Sequence, residues 1–292
     1  MIRKGDRGEH VKTIQRIVGC EPDGVFGPIT EAYVKKFQEA HLDVTGVVDS
    51  KTMAVMFAED DDTDLTTDNS EHRLVINQSF LPEGEYCSNI TDKEYIFLHH
   101  TAGWHNPYRT IKHWGGDDRG RIATEFVIGG QSIKGDDETY DGEIVQAFPE
   151  GYWAYHLGRT GSSYMHRHSV GIEVCNFGYL DDGIAYQGTR AAESQITYLP
   201  NLDFFGRIQW HRYSDSQIKS LRDLLLYIGE RDNIDIREGL PKLIKEKGAR
   251  AFDFNEDAWA GKVKGVWAHC NVRRSKSDMF PQEELLTMLT EL

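Results

Sequence analysis

Apolar positions fall into two regimes along the chain. Early on they recur at helical spacing, as Val11, Ile14 and Val18 in the segment Glu9–Val18 and as Ala32, Tyr33, Phe37 and Ala40 in TEAYVKKFQEA. Gly5 and Gly8 precede the first segment, and a DGVFG loop turns into the second. The string GVFGPIT from Gly24 is echoed by GVVDSKT from Gly46, with Gly, Val and Thr in register at an offset of 22, so the region carries an internal duplication. This pattern predicts a small bundle of three short helices. Later the apolar residues come in short continuous runs, YIFLHH from Tyr95, TEFVIGG from Thr124 and VGIEVC from Val170, which read as strands. Helical stretches lie between and after them. In the clearest, Ser214–Arg231, Ser214 and Gln217 form an S-x-x-Q capping box and Ile218, Leu221, Leu225 and Ile228 mark one face. The expected class is α/β, a mixed central β-sheet flanked by helices and preceded by a three-helix domain.

Charge sharpens the division. Residues 1–58 balance 8 basic against 8 acidic side chains, whereas residues 59–71 hold 7 acids and no base. The run Glu59-Asp60-Asp61-Asp62-Thr63-Asp64 repels itself and cannot bury apolar surface. It is expected to be a solvated linker, giving domains at 1–58 and 73–292 with an acidic linker at 59–72 between them. The whole chain carries 33 basic and 47 acidic side chains, a formal charge of −14, with no Lys/Arg-rich block, which argues against a nucleic-acid partner. No apolar run has membrane-spanning or signal-peptide character, so no membrane insertion is expected and synthesis in the cytoplasm is. The four cysteines form no CxxC pair and are expected as buried thiols.

Among the 12 histidines two have distinctive positions. His99 ends the run Ile96-Phe97-Leu98 and His269 ends Val266-Trp267-Ala268, which puts each at the carboxyl end of a strand. Nine residues after His269 comes Asp278, in a polar loop carrying Arg273, Arg274 and Lys276. Two imidazoles and a carboxylate suit a catalytic zinc, because three protein ligands leave one tetrahedral position open. Taken alone, a lone histidine reads more readily as a satisfied core residue than as a ligand.

Two resemblances add to this reading. The string RKGDRGEHVKTIQRIVG, DGVFGPITEAYVKKFQ, TGVVDSKTMAVM resembles the bacterial peptidoglycan-binding domain found beside wall hydrolases, over nearly all of residues 1–58. IFLHHTAG, SVGIEVCNFG and WAHCNVRRSKSD, in that order, with WAYHLG and the DGEIVQ hairpin, are similar to the type-2 N-acetylmuramoyl-L-alanine amidases over roughly residues 73–292, a superfamily that includes phage endolysins and peptidoglycan-recognition proteins. The resemblance implies hydrolysis of the amide between N-acetylmuramic acid and L-alanine with zinc-activated water. It implies His99, His269 and Asp278 as zinc ligands, Glu173 as the catalytic glutamate, Lys276 as the oxyanion-stabilising lysine and His156 as a substrate contact. Lys276-Ser277-Asp278 matches the carboxylate-bearing branch of the family.

The resemblance also implies bacterial peptidoglycan as partner. With no leader in the sequence, it implies a phage endolysin that acts at the wall after a holin-type protein permeabilises the membrane. The competing reading is a recognition module that binds the wall without cutting it, as members lacking the last ligand do. Asp278 favours the enzyme. Where some members place a tyrosine, this chain reads Ala123-Thr124-Glu125, so tyrosine-assisted catalysis is not expected and Glu125 remains a second candidate acid. His100 is expected on the opposite strand face from His99. Residues 179–213 form an insertion relative to short members and hold Tyr186, Tyr198, Phe204, Phe205, Trp210 and Tyr213. Either a wall of the substrate groove or a buried mini-core fits so many aromatics.

Overall fold

The computed structural model describes residues 1–56, 74–158, 162–199 and 204–292, so the acidic linker lies outside the described residues. Two compact units emerge, Met1–Ser79 and Phe80–Leu292.

The first unit contains α1 (Glu9–Val18), α2 (Pro28–His41), α3 (Ser50–Met56) and a short strand, β1 (Ile76–Gln78). Val11, Ile14, Phe26, Val34 and Val48 form its core, and Ile2 and Val48 exchange backbone hydrogen bonds that tie its start to the second repeat. The three helices occur where the pattern placed them, but α2 buries a different face. Thr30, Val34 and Gln38 point inward, while Ala32 is exposed and Tyr33 and Phe37 are half-buried.

The reason is a carboxamide clamp that also accounts for the duplication. Gln38 Nε2 donates to Val47 O (2.9 Å) and to the hydroxyls of Thr45 and Thr52 (both 3.1 Å), and Gln38 Oε1 accepts from the Gly46 N–H (2.8 Å). Gln15 repeats the arrangement, donating to Val25 O (3.2 Å), Thr30 Oγ1 (2.9 Å) and Asp23 Oδ1 (2.7 Å) and accepting from Gly24 N–H (2.8 Å). The repeated Gly, Val and Thr are therefore the amide, carbonyl and hydroxyl partners of one buried glutamine. Both glycines sit in the left-handed region (φ 73 and 72), where a side chain would be strained.

In the second unit the sheet order is β4-β3-β5-β2-β9, from strands β2 (Tyr95–His100), β3 (Phe126–Ile128), β4 (Ile144–Gln146), β5 (Ser169–Val174) and β9 (Gly265–Ala268). The pairs β3–β5, β5–β2 and β2–β9 are parallel and β3–β4 is antiparallel, so the sheet is mixed as expected. Its parallel strands are continuous apolar runs because helices cover both faces. Tyr108, Ile111 and Trp114 of α4 (Pro107–Trp114) pack on Val127, Val145 and Cys175, and α6 (Asp215–Asp232) packs on β3. α7 (Leu240–Lys247) covers β9, and α10 (Glu283–Thr290) packs on α6 and α7. The capping box of α6 forms in both halves: Ser214 Oγ accepts from Gln217 N–H (3.0 Å) and Gln217 Oε1 accepts from Ser214 N–H (3.1 Å). Leu221, Leu224, Leu225 and Ile228 are its buried apolar face, with Ile218 half-buried.

Shorter helices, α5 (Ser163–Arg167), α8 (Glu256–Trp259) and α9 (His269–Val272), lie in the connections. The insertion folds as a three-stranded antiparallel sheet in the order β6 (Tyr179–Leu180), β8 (Gln209–His211), β7 (Ile196–Tyr198). All four cysteines are buried free thiols, and no helix among the described residues is long and apolar enough to cross a membrane.

Candidate functional site

Parallel strands deliver their carboxyl ends to one edge of the sheet, where a crevice forms. Register does the positioning: His99 pairs with Glu173, and Leu98 pairs with Ala268, so His269 emerges level with His99. Asp278 returns to them because Cys270 N–H donates to Asp278 O (2.8 Å), closing the polar loop. His99, His156, Glu173, His269, Lys276 and Asp278, all singled out in the sequence, line one cavity of ≈ 1070 Å³.

At its floor three side chains converge. His99 Nδ1 lies 3.0 Å from His269 Nδ1 and 3.3 Å from Asp278 Oδ2, and His269 Nδ1 lies 2.9 Å from Asp278 Oδ2. Metal–nitrogen and metal–oxygen bonds near 2.0–2.1 Å put the corners of a tetrahedron about 3.3 Å apart, so these atoms are spaced as ligands of one small ion. All three residues are buried and form the only candidate metal group among the described residues. Their charge states suit the role. Burial, aided by His269, holds His99 down at about 4 and hence neutral, and against its own burial the facing imidazoles hold Asp278 well below the usual carboxylate range. Zinc fits this donor set.

Beyond His99 runs a hydrogen-bonded chain. His99 Nε2 lies 3.0 Å from His156 Nδ1, and His156 Nε2 lies 2.8 Å from Ser169 Oγ. If Nδ1 of His99 keeps its lone pair for a metal, Nε2–H must donate to His156, which then donates its own N–H to Ser169. His156, expected as a substrate contact, thus has both ring nitrogens occupied by protein. Ser169 escaped the sequence reading, although Ser169, Gly171 and Glu173 share a strand face by period two. That alternation was the available signal.

Glu173 is the one residue of β5 that is not fully buried, yet its Oε2 is inaccessible and has no hydrogen-bond partner. Burial, reinforced by Asp278 and opposed by Lys276, pushes its carboxyl well above the usual range. Lys276 is half-buried and makes no ion pair among the described residues. Glu125 is elsewhere: it is buried against Arg231, at 2.6 and 3.3 Å, and accepts from Gln146 Nε2 at 3.1 Å, outside the cavity lining. That ion pair uses the carboxylate structurally. His100, the next residue of β2, has its Nδ1 2.9 Å from the Tyr213 hydroxyl and also reaches the cavity lining.

The insertion contributes both to packing and to the cavity lining. Trp210 and Tyr213 are buried and stack on Phe280 at 4.7 and 4.4 Å, just beyond Asp278, while Tyr179 and Tyr186 line the cavity.

Two family models match the chain. A family model described as putative peptidoglycan binding domain matches residues 7–56. No curated protein gives a significant match. Solved structures with similarity include the amidase LysC from Clostridium intestinale (15% identity, TM-score 0.37, 73% of this chain and 97% of that one) and a mutant endolysin from Bacillus subtilis (19%, 0.34, 56% and 80%). PlyL is a third (14%, 0.36, 56% and 77%). The decisive match is a family model described as N-acetylmuramoyl-L-alanine amidase over residues 90–278, well over half of the chain and spanning His99, Glu173, His269 and Asp278. The chain belongs to the N-acetylmuramoyl-L-alanine amidase family.

Proposed function

We propose that this protein is a zinc-dependent hydrolase of peptidoglycan that cleaves the amide between N-acetylmuramic acid and L-alanine, and that residues 1–58 hold it on the wall. The observation that carries this reading is the convergence of His99, His269 and Asp278 at ligand spacing beside the unpartnered carboxylate of Glu173. Bound there, zinc supplies a Lewis acid that makes water a competent nucleophile near neutral pH. Glu173, whose raised affinity for protons suits a base, takes a proton from the attacking water and later gives it to the departing amine of L-alanine. Lys276 sets a positive charge beside the oxygen on which negative charge builds. The pairing of a wall-binding module with an amidase domain supports an endolysin-type use. Dialysis against a chelator is expected to abolish release of stem peptides, and one equivalent of zinc per chain to restore it. Full activity in verified metal-free protein would remove zinc from the scheme.

His156 then serves as a positioning residue that fixes the tautomer and plane of His99. Removing such a supporting partner weakens metal affinity by roughly 10- to 100-fold. His156→Ala is expected to show that loss in a competition titration with a chromophoric chelator, with the fold unchanged by circular dichroism. A His156→Ala protein that holds zinc as tightly as wild type would return His156 to the role of substrate contact.

A further inference from the structure

The cavity lining includes two chemically different sets of side chains. Arg109, Arg273 and Lys276 contribute cationic side chains that make no ion pair among the described residues, Arg119 adds one paired with Asp117, and among the described residues the only carboxylates lining it are Glu173 and Asp278. Arg273 passes over Gly158, where any side chain would collide with its guanidinium. On a chain of net charge −14 this is a local reversal of sign, suited to the carboxylates of a stem peptide. The other set is aromatic and uncharged. Trp104, from the loop after β2, and Tyr186, from the insertion, are 38% and 66% exposed.

Exposure of this kind usually means mobility, but here both rings are held. The Tyr186 hydroxyl donates to Ala102 O (3.0 Å), and Ala102 adopts a left-handed backbone (φ 48) that is rare outside glycine. Trp104 meets the buried ring of Phe177 edge-on, with centroids 5.1 Å apart, and Phe177 also contacts Tyr186 at 6.4 Å. Two large rings are therefore fixed from behind while much of their surface is left open, beside the strand end that carries His99. Behind them the insertion has its own packing: Trp210 and Tyr213 stack on Phe280, and Leu180, Ala185 and Ala191 cluster with Ile133 and Phe177.

We propose that Trp104 and Tyr186 form a saccharide subsite, stacking on the apolar face of a sugar ring on the acyl side of the scissile amide while the cationic lining takes the peptide. A pyranose offers an uncharged C–H face that suits a rigid aromatic surface, whereas an anionic peptide does not. This inference rests on the amidase reading for its substrate but has an independent readout in binding.

The test uses the full chain and one probe, the soluble disaccharide tetrapeptide N-acetylglucosaminyl-N-acetylmuramoyl-tetrapeptide. Calorimetry on chelator-treated protein measures binding without turnover, and steady-state kinetics on the zinc-loaded protein measure KM and kcat. Trp104→Leu and Tyr186→Leu are expected to weaken binding and raise KM by about tenfold, the usual scale for losing an aromatic anchor, with kcat held within about twofold. Tyr186→Phe, which keeps the ring and loses the tether, is expected to recover most of the affinity. Unchanged binding in both Leu variants overturns the subsite, as does a fall in kcat at constant KM, which would mark the rings as structural. If the wild type binds the probe in a Trp104-dependent way but never hydrolyses it, the saccharide subsite stands and the amidase reading falls.

Discussion

Glu173→Gln protein is expected to fold, to keep its zinc affinity within a few-fold of wild type, and to turn over about a hundredfold more slowly or worse. The substitution preserves size and hydrogen bonding but removes the one carboxylate that, among the described residues, lines the cavity outside the proposed ligand set. That magnitude is the usual contribution of a positioned acid–base group. Glu173 suits the role because its Oε2 has no protein partner, so its charge is not spent on a structural ion pair as that of Glu125 is on Arg231. The fall should appear in kcat, measured on a soluble muropeptide, with zinc content determined on the same sample. Near-normal turnover would place the base elsewhere, and loss of zinc together with turnover would make Glu173 a ligand.

The second large effect is expected from His269→Ala. Losing one of three converging ligands should weaken zinc binding by far more than the roughly 10- to 100-fold that follows loss of a supporting hydrogen bond. Wild type should retain one zinc per chain through dialysis, while the variant should emerge with almost none and without activity. Metal analysis by atomic emission and a melting curve read the two quantities that matter. Full zinc occupancy in a folded His269→Ala protein would contradict the assignment of all three ligands, because no other group of three metal-binding side chains exists among the described residues.

Much of this architecture was legible in the sequence where one local signal determines one local outcome. The apolar runs became β2, β3 and β5, the S-x-x-Q signal became a complete capping box, and the strand-end positions of His99 and His269 became adjacent ligand positions through parallel register. The failures share a cause. Apolar spacing in α2 does not give its buried face because Gln38, polar by type, is as fully enclosed there as Val34, held by backbone groups and hydroxyls of the following loop. Apolar periodicity cannot register a buried hydrogen-bonding hub. The setting of His156 was equally hidden, since its partners stand 57 residues before it and 13 after it, brought together only by the pairing of β2 with β5. The insertion resisted a single reading because it has two halves, one packed on Phe280 behind Asp278 and one lining the cavity.

The central claim is the identity of the bond that is cut, and mass spectrometry of purified sacculi digested by the full zinc-loaded chain tests it most directly. Amidase action should release stem peptides with a free L-alanine amino terminus and leave glycan strands whose N-acetylmuramic acid residues carry a free lactyl carboxylate. New reducing sugar ends, peptides cut within the stem, or tight binding to the wall with no released peptide would each contradict it.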